Sequence, residues 1–298
     1  MEKQTDRMVG RLPLDHANNG YLDVLQRPSF ETGRIMATLS IASAKGGCGK
    51  TTLLRMLATV LSPDSGSIRL LGESLDTARN RARVRRQLGY LPQELQYPRG
   101  FTAYGFVEYM ASLKEGTDAT SRHAEVMRVL DAVQLGMLAD RRLRALSGGQ
   151  RRRVGIAQAL IGAPRLLIMD EPTTGLDPEQ RAELRGLLSD AGRSGTIVLS
   201  THQTEDVAAL CDRVIVMLSG RLLFDGSVAD LVASARDHVW LADSPDPGAW
   251  ASWRTAAGQY RTVAEKQPVG ATPVEPSLED AYLLLVGRAG TRVTPVTP

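Results

Sequence analysis

Leu166-Leu167-Ile168-Met169-Asp170-Glu171-Pro172-Thr173-Thr174-Gly175-Leu176-Asp177-Pro178 is the stretch whose reading decides the fold. Leu166 to Met169, bounded by Pro164 upstream, is a short unbroken apolar run. A run of that kind suits a strand buried on both faces, as in a parallel sheet covered by helices. It delivers Asp170 and Glu171 at its carboxyl end, where ligands gather in an open α/β sheet. Asp170 is placed to hold a divalent cation, directly or through water, and Glu171 to orient and polarise an attacking water. Either acid alone could be a surface carboxylate, but the turn-rich run to Pro178 makes a joint accident hard to sustain.

A second phosphate-directed element lies upstream. Residues 38–43 read as a buried strand, and Thr51 to Leu61 as an apolar-periodic helix. Between them stand Ala44, Lys45, Gly46, Gly47, Cys48, Gly49, Lys50, Thr51 and Thr52. Glycines let backbone N–H groups turn towards phosphates at the positive end of the following helix. Lys50 can then reach the β- and γ-phosphates of ATP, and the Thr51 hydroxyl can ligate Mg²⁺. The usual first glycine of such a P-loop is replaced by Ala44. The string Lys45 to Thr51 resembles the variant P-loop of the partition and septum-positioning ATPases, whose extra lysine corresponds to Lys45.

Downstream, Leu146-Ser147-Gly148-Gly149-Gln150 precedes a helix with Val154, Ala157, Leu160 and Ile161 on its apolar side. Ser147 is a natural N-cap, and the helix start offers N–H groups and a positive dipole end. The five residues alone also fit an ordinary capped helix. A second anion site beside a single P-loop makes sense if two copies face head to tail, each closing the other's nucleotide. Gln93 follows Tyr90-Leu91-Pro92, and His202 follows the strand Thr196 to Ser200.

In this order the motifs resemble those of the ABC transporter ATPases, across roughly Gly33 to Ala235. The resemblance makes Ser147 to Gln150 the signature motif, Asp170 the Walker B aspartate and Glu171 the catalytic glutamate. It makes Leu176-Asp177 the D-loop, with Asp177 near nucleotide. It also makes Gln93 the Q-loop glutamine, which senses Mg²⁺ and couples to a membrane partner, and His202 the switch histidine at the γ-phosphate. The text around Gln93 and the ending Pro276 to Tyr282 resemble exporter-type ATPases that pair with ABC-2 permeases. The resemblance therefore implies a P-loop ATPase, active as a head-to-tail homodimer with ATP and Mg²⁺. It would power a separate permease, sitting on the cytoplasmic, inner face of the cell membrane. The chain departs from the family at Ala44 and in its first 33 residues, where no adenine-stacking aromatic is evident; Tyr21 is the only tyrosine nearby.

Composition agrees with this class. The 298 residues are 43% hydrophobic with a formal net charge of +3, enough for a large core and too weakly basic to argue for nucleic acid. The arginine-rich run Arg79 to Arg86 reads as a solvated helix face or a contact with acidic loops. Two cysteines, Cys48 and Cys211, lack metal-ligand spacing and suit a reducing compartment. Met1 to Leu14 lacks the apolar centre of a signal peptide, and no stretch approaches the roughly 20 apolar residues that span a bilayer.

The expected fold is α/β: a P-loop NTPase core with a mainly parallel sheet, an inserted helical subdomain and a small C-terminal extension. Residues 1–235 would form the ATP-binding domain, with the helical subdomain at about 94–162. Residues 236–298 would form an accessory region, punctuated by prolines, with a helix from Ser277 to Val286 and a disordered tail. Two other functions compete. One is a soluble positioning ATPase, suggested by Lys45. The other is an ABC protein acting on DNA or ribosomes, disfavoured by the single cassette and the lack of a long heptad run.

Overall fold

The computed structural model describes residues 35–39, 49–114 and 118–290. β1 (Ile35–Leu39) and α1 (Lys50–Leu57) lead into a small hairpin, β2 (Arg69–Leu70) and β3 (Glu73–Ser74). α2 (Ala78–Arg86) and β4 (Leu88–Leu91) follow, then three helices: α3 (Ala103–Lys114), α4 (Ala119–Ala132) and α5 (Gly148–Leu160). The chain returns to the sheet through β5 (Leu166–Asp170), α6 (Pro178–Gly192), β6 (Thr196–Thr201), α7 (Thr204–Leu210), β7 (Arg213–Leu218) and β8 (Arg221–Ser227). α8 (Val228–Ala233) leads to β9 (Val239–Ala242), β10 (Ala251–Arg254), β11 (Tyr260–Val263), β12 (Thr272–Pro273) and α9 (Leu278–Arg288).

The main sheet runs β4-β5-β6-β1-β7-β8. Its first five strands are parallel and β8 is antiparallel to β7. Successive strand side chains point to opposite faces, and here they feed two separate cores. Leu166, Ile168, Val198, Ile215 and Met217 pack towards Leu53, Leu54 and Val84 of α1 and α2. Leu167, Met169, Ile197, Leu199, Val214 and Val216 face the larger core shared with α3 to α6. The unbroken apolar character of β5 thus reflects burial on both sides.

β1 begins at Ile35, three residues before the start of the expected strand at 38–43. Pairing with β6, Ile35 with Ile197 through Leu39 with Thr201, fixes the register. Residues 40–48 are outside the described residues. α1 ends at Leu57 rather than continuing to Leu61. Thr59 takes a left-handed φ of 60°, and Arg85 holds it there through its hydroxyl (2.6 Å) and its carbonyl (2.8 Å). The arginine-rich run is α2, which spends its charge on such contacts; Arg83 pairs with Glu73 across the neighbouring turn.

The C-terminal region holds more structure than the prolines suggest. β10-β11-β9-β12 form a second, antiparallel sheet. α9 begins at Ser277 with the capping box expected of Ser277 and Asp280 and ends at Arg288. Leu278, Ala281, Tyr282, Leu284 and Val286 bury their side chains in the same core as α3 to α6.

Candidate functional site

Parallel pairing sets β4, β5 and β6 side by side with their carboxyl ends aligned, Leu91 beside Met169 and Asp170 beside Ser200. The residues following those strands, Gln93, Glu171 and His202, therefore emerge along one edge, as the topology rule for α/β sheets requires.

Asp170 ends β5 and is 1% exposed. Its Oδ1 accepts from the Ser200 hydroxyl on β6, while its Oδ2 is buried without a partner among the described residues. A buried carboxylate oxygen left unmatched is costly. A hard divalent cation, which prefers oxygen ligands, would resolve it. The donor set on this edge, Asp170 and the Thr51 hydroxyl at the start of α1, fits Mg²⁺.

Glu171 adopts a left-handed φ of 51°, unusual for a residue with a side chain. Bonds on both sides hold it there. Its N–H donates to the Ser200 carbonyl and hydroxyl, each at 3.1 Å, and its carbonyl accepts from the Thr174 N–H at 3.2 Å. The turned backbone presents the carboxylate to two partners, the Lys50 ammonium and the His202 imidazole. Lys50 Nζ lies 3.6 Å from Oε1, and His202 Nδ1 lies 2.8 Å from Oε2. Lys50 and Glu171 are largely buried, whereas the His202 side chain is 54% exposed and opens to solvent. Thr173, two residues on, donates to the buried carboxylate of Asp206 at 2.7 Å, which Arg185 also grips. The loop after the acid is thereby tied to α6 and α7.

Lys50, Asp170, Glu171 and His202 come together as expected. Gly49 starts α1 with φ 85°, a conformation that favours glycine, and no side chain caps the helix. Thr51 and Thr52 lie in its first turn. Ala44, Lys45, Gly46, Gly47 and Cys48 lie outside the described residues. Gln93 follows β4 with an exposed side chain. Ser147 caps α5 in a reciprocal box with Gln150, at 3.2 Å and 2.9 Å. Gly148 is exposed, and Gly149 sits against Gln180. Asp177 caps α6 by accepting from the Gln180 N–H at 2.9 Å. Among the described residues, no hydrogen bond or ion pair joins Ser147 to Gln150, or Asp177, to Lys50, Asp170, Glu171 or His202.

Two residues of the site escaped the sequence reading. Ser200 looked like the end of an apolar strand, yet it bonds both acids. Arg152, inside the run Arg151 to Arg153, is 8% exposed and sits under the site. The signal for it was positional: Arg152 shares a helix face with Ile156 and Ala159, four and seven residues on, both buried.

A family model described as ABC transporter matches residues 45–174, from the phosphate loop through the acids to Thr174. An uncharacterised ABC transporter ATP-binding protein of Bacillus subtilis is 36% identical over 211 residues, covering 67% of this chain and 68% of the relative. This chain belongs to the ABC transporter ATP-binding proteins. It is thus an ATP-binding, ATP-hydrolysing subunit of that transporter class. The Nod factor export ATP-binding protein I of Paraburkholderia xenovorans is 36% identical over 271 residues, covering 81% of this chain and 86% of that protein. A solved dimeric structure of a bacterial ABC transporter cassette superposes with a TM-score of 0.59 at 23% identity, covering 66% of this chain and 86% of that one. That likeness supports the ABC cassette fold of the core.

Proposed function

We propose that this ABC protein powers export through a separate membrane permease, working as a head-to-tail homodimer with two ATP molecules between its copies. The observation that carries the reading is the Glu171 carboxylate, held between Lys50 and His202 beside the unmatched oxygen of Asp170. Glu171 is then the group that orients and polarises the attacking water. Lys50 sits where negative charge is already stabilised and takes the β- and γ-phosphates, with the backbone N–H groups at the start of α1 beside it. His202 reports on the γ-phosphate from its exposed position. Asp170 and Thr51 would hold Mg²⁺, with Gln93 as a further oxygen donor, and the ion would supply neutralisation of phosphate charge.

The signature residues support the dimer reading. Ser147 to Gln150 lie apart from their own chain's Lys50 and Glu171, and a capped helix start is a ready anion site. A second copy supplies the γ-phosphate that this helix start would meet, with Asp177 close to the shared boundary. Residues 1–235 form the ATP-binding cassette in this reading, with 94–162 as its helical subdomain and 236–298 as an accessory region. Among the described residues no helix is long and apolar enough to cross a membrane, so the spanning part comes from the permease, with this chain on its cytoplasmic face. The export direction rests on relatives named as export proteins.

Glu171→Gln removes the acid while keeping the side chain's size. Hydrolysis should fall at least about a hundredfold while ATP stays bound, and light scattering after gel filtration should report a dimer with ATP and Mg²⁺. A monomer under saturating ATP and Mg²⁺ would contradict the sandwich.

A further inference from the structure

Arg152 makes an unusual set of contacts. Its guanidinium donates to five backbone carbonyls and no carboxylate: Pro92 (3.0 Å), Gln93 (2.9 Å), Asp170 (2.6 Å), Glu171 (2.7 Å) and Pro172 (3.4 Å). Burial pulls its pKa down, against the nearby Tyr97, Asp170 and Glu171, which push it up. Two of the acceptors, Pro92 and Gln93, directly follow β4, and three follow one another through the acids.

Consecutive carbonyls of an extended strand point to opposite edges, so three in a row cannot ordinarily meet one cation. The left-handed φ of 51° at Glu171 breaks that alternation and lets carbonyls 170 to 172 converge. The strained backbone and the buried guanidinium therefore require each other. α5 is brought close enough by glycine. A Cβ on Gly89 would fall within the Ala159 carbonyl, and one on Gly155 would press into Leu91 and Leu95.

We propose that Arg152 is a positioning residue that fixes Glu171 against the Gln93 loop and ties both to α5. Arg152 lies five positions along the chain from the Ser147 cap, about 7.5 Å along the helix axis. One rigid element thus carries the anion-binding start that would face the other copy's nucleotide and the grip on this copy's own acid. A phosphate that displaces the helix start also displaces the acid, which links the two nucleotide sites mechanically. The proposal rests on Glu171 being the acting acid.

Arg152→Lys keeps the charge and loses the planar fork that serves several carbonyls at once. In the full chain, ATP affinity should stay within about threefold and turnover per bound ATP should fall about ten- to hundredfold, the effect of misplacing a reacting group by around an ångström. The double variant Arg152→Lys with Glu171→Gln should hydrolyse no more slowly than Glu171→Gln alone, because the arginine acts through the acid. Multiplying losses would overturn the proposal, and so would failure of Arg152→Lys to fold, which would make the guanidinium a core staple. Normal turnover in Arg152→Lys beside an inactive Glu171→Gln removes the proposal alone. Normal turnover in Glu171→Gln removes the reading of the acid and this proposal with it.

Discussion

Asp170 and Asp280 are both buried, 1% and 0% exposed, and they are matched in opposite ways. Asp280, in the first turn of α9, accepts from Arg261 through both Nε and Nη2 and from the backbone and hydroxyl of Ser277. Asp170, at the end of β5, has one oxygen bonded to Ser200 and the other without a partner among the described residues. The first arrangement closes on itself, holding α9 to the C-terminal sheet and leaving no capacity for a ligand. The second leaves capacity for a cation beside a strained Glu171. Burial of an acid therefore does not mark a site; incomplete matching does.

The sharpest way to break this contrast is Asp280→Asn, which strips a buried pair of its charge and leaves Arg261 uncompensated. Losing one partner of a buried pair costs about 3 kcal/mol, read as a melting temperature lower by roughly 6–12 °C in a chain of this size. Turnover per folded molecule should stay within twofold, and a larger loss would make α9 part of the catalytic apparatus. Gly89→Ala tests the other side. The added methyl must displace the Ala159 carbonyl, which should destabilise by about 2 kcal/mol, and it should also lower turnover by lifting α5 away from the acids. Stability loss with unchanged turnover would separate α5 from the site. The smallest effect concerns Cys211, at the end of α7. Burial, aided by Asp206 and Asp212, pushes its thiol well above the ordinary range, so it stays protonated at neutral and mildly alkaline pH. Because the thiolate is the reactive form, iodoacetamide at pH 8 should leave Cys211 unmodified in the native protein and alkylate it in denaturant, read by peptide mass spectrometry.

The same contrast explains what was legible in the sequence. That Asp170, Glu171 and Lys50 would lie together could be anticipated because contiguous motifs set them at strand and helix ends, and His202 because the resemblance to the family placed it at the end of the neighbouring strand. The β5 strand could be read because burial on both faces leaves no polar position. Arg152 was hidden because its partners are backbone carbonyls, which carry no sequence signature, and because Arg151 and Arg153 flank it. The end of α1 depended on Arg85, 26 residues away, holding Thr59 in a left-handed turn. The sheet β9 to β12 was missed because strands of two to four residues between prolines and glycines show no period, although the Ser277–Asp280 cap beside it, a local motif, was found.

The most direct test of the account is Asp170→Asn, with ATP hydrolysis and thermal melting measured on one preparation. Replacing the carboxylate by an amide removes the cation's charged ligand and puts a neutral group where a buried carboxylate oxygen has no partner among the described residues. The account predicts hydrolysis reduced at least about a hundredfold with a melting temperature equal to or above that of the native protein without nucleotide. Hydrolysis near the native rate, or a collapse of stability like that expected of Asp280→Asn, would contradict it, because Asp170 would then be one more structural acid.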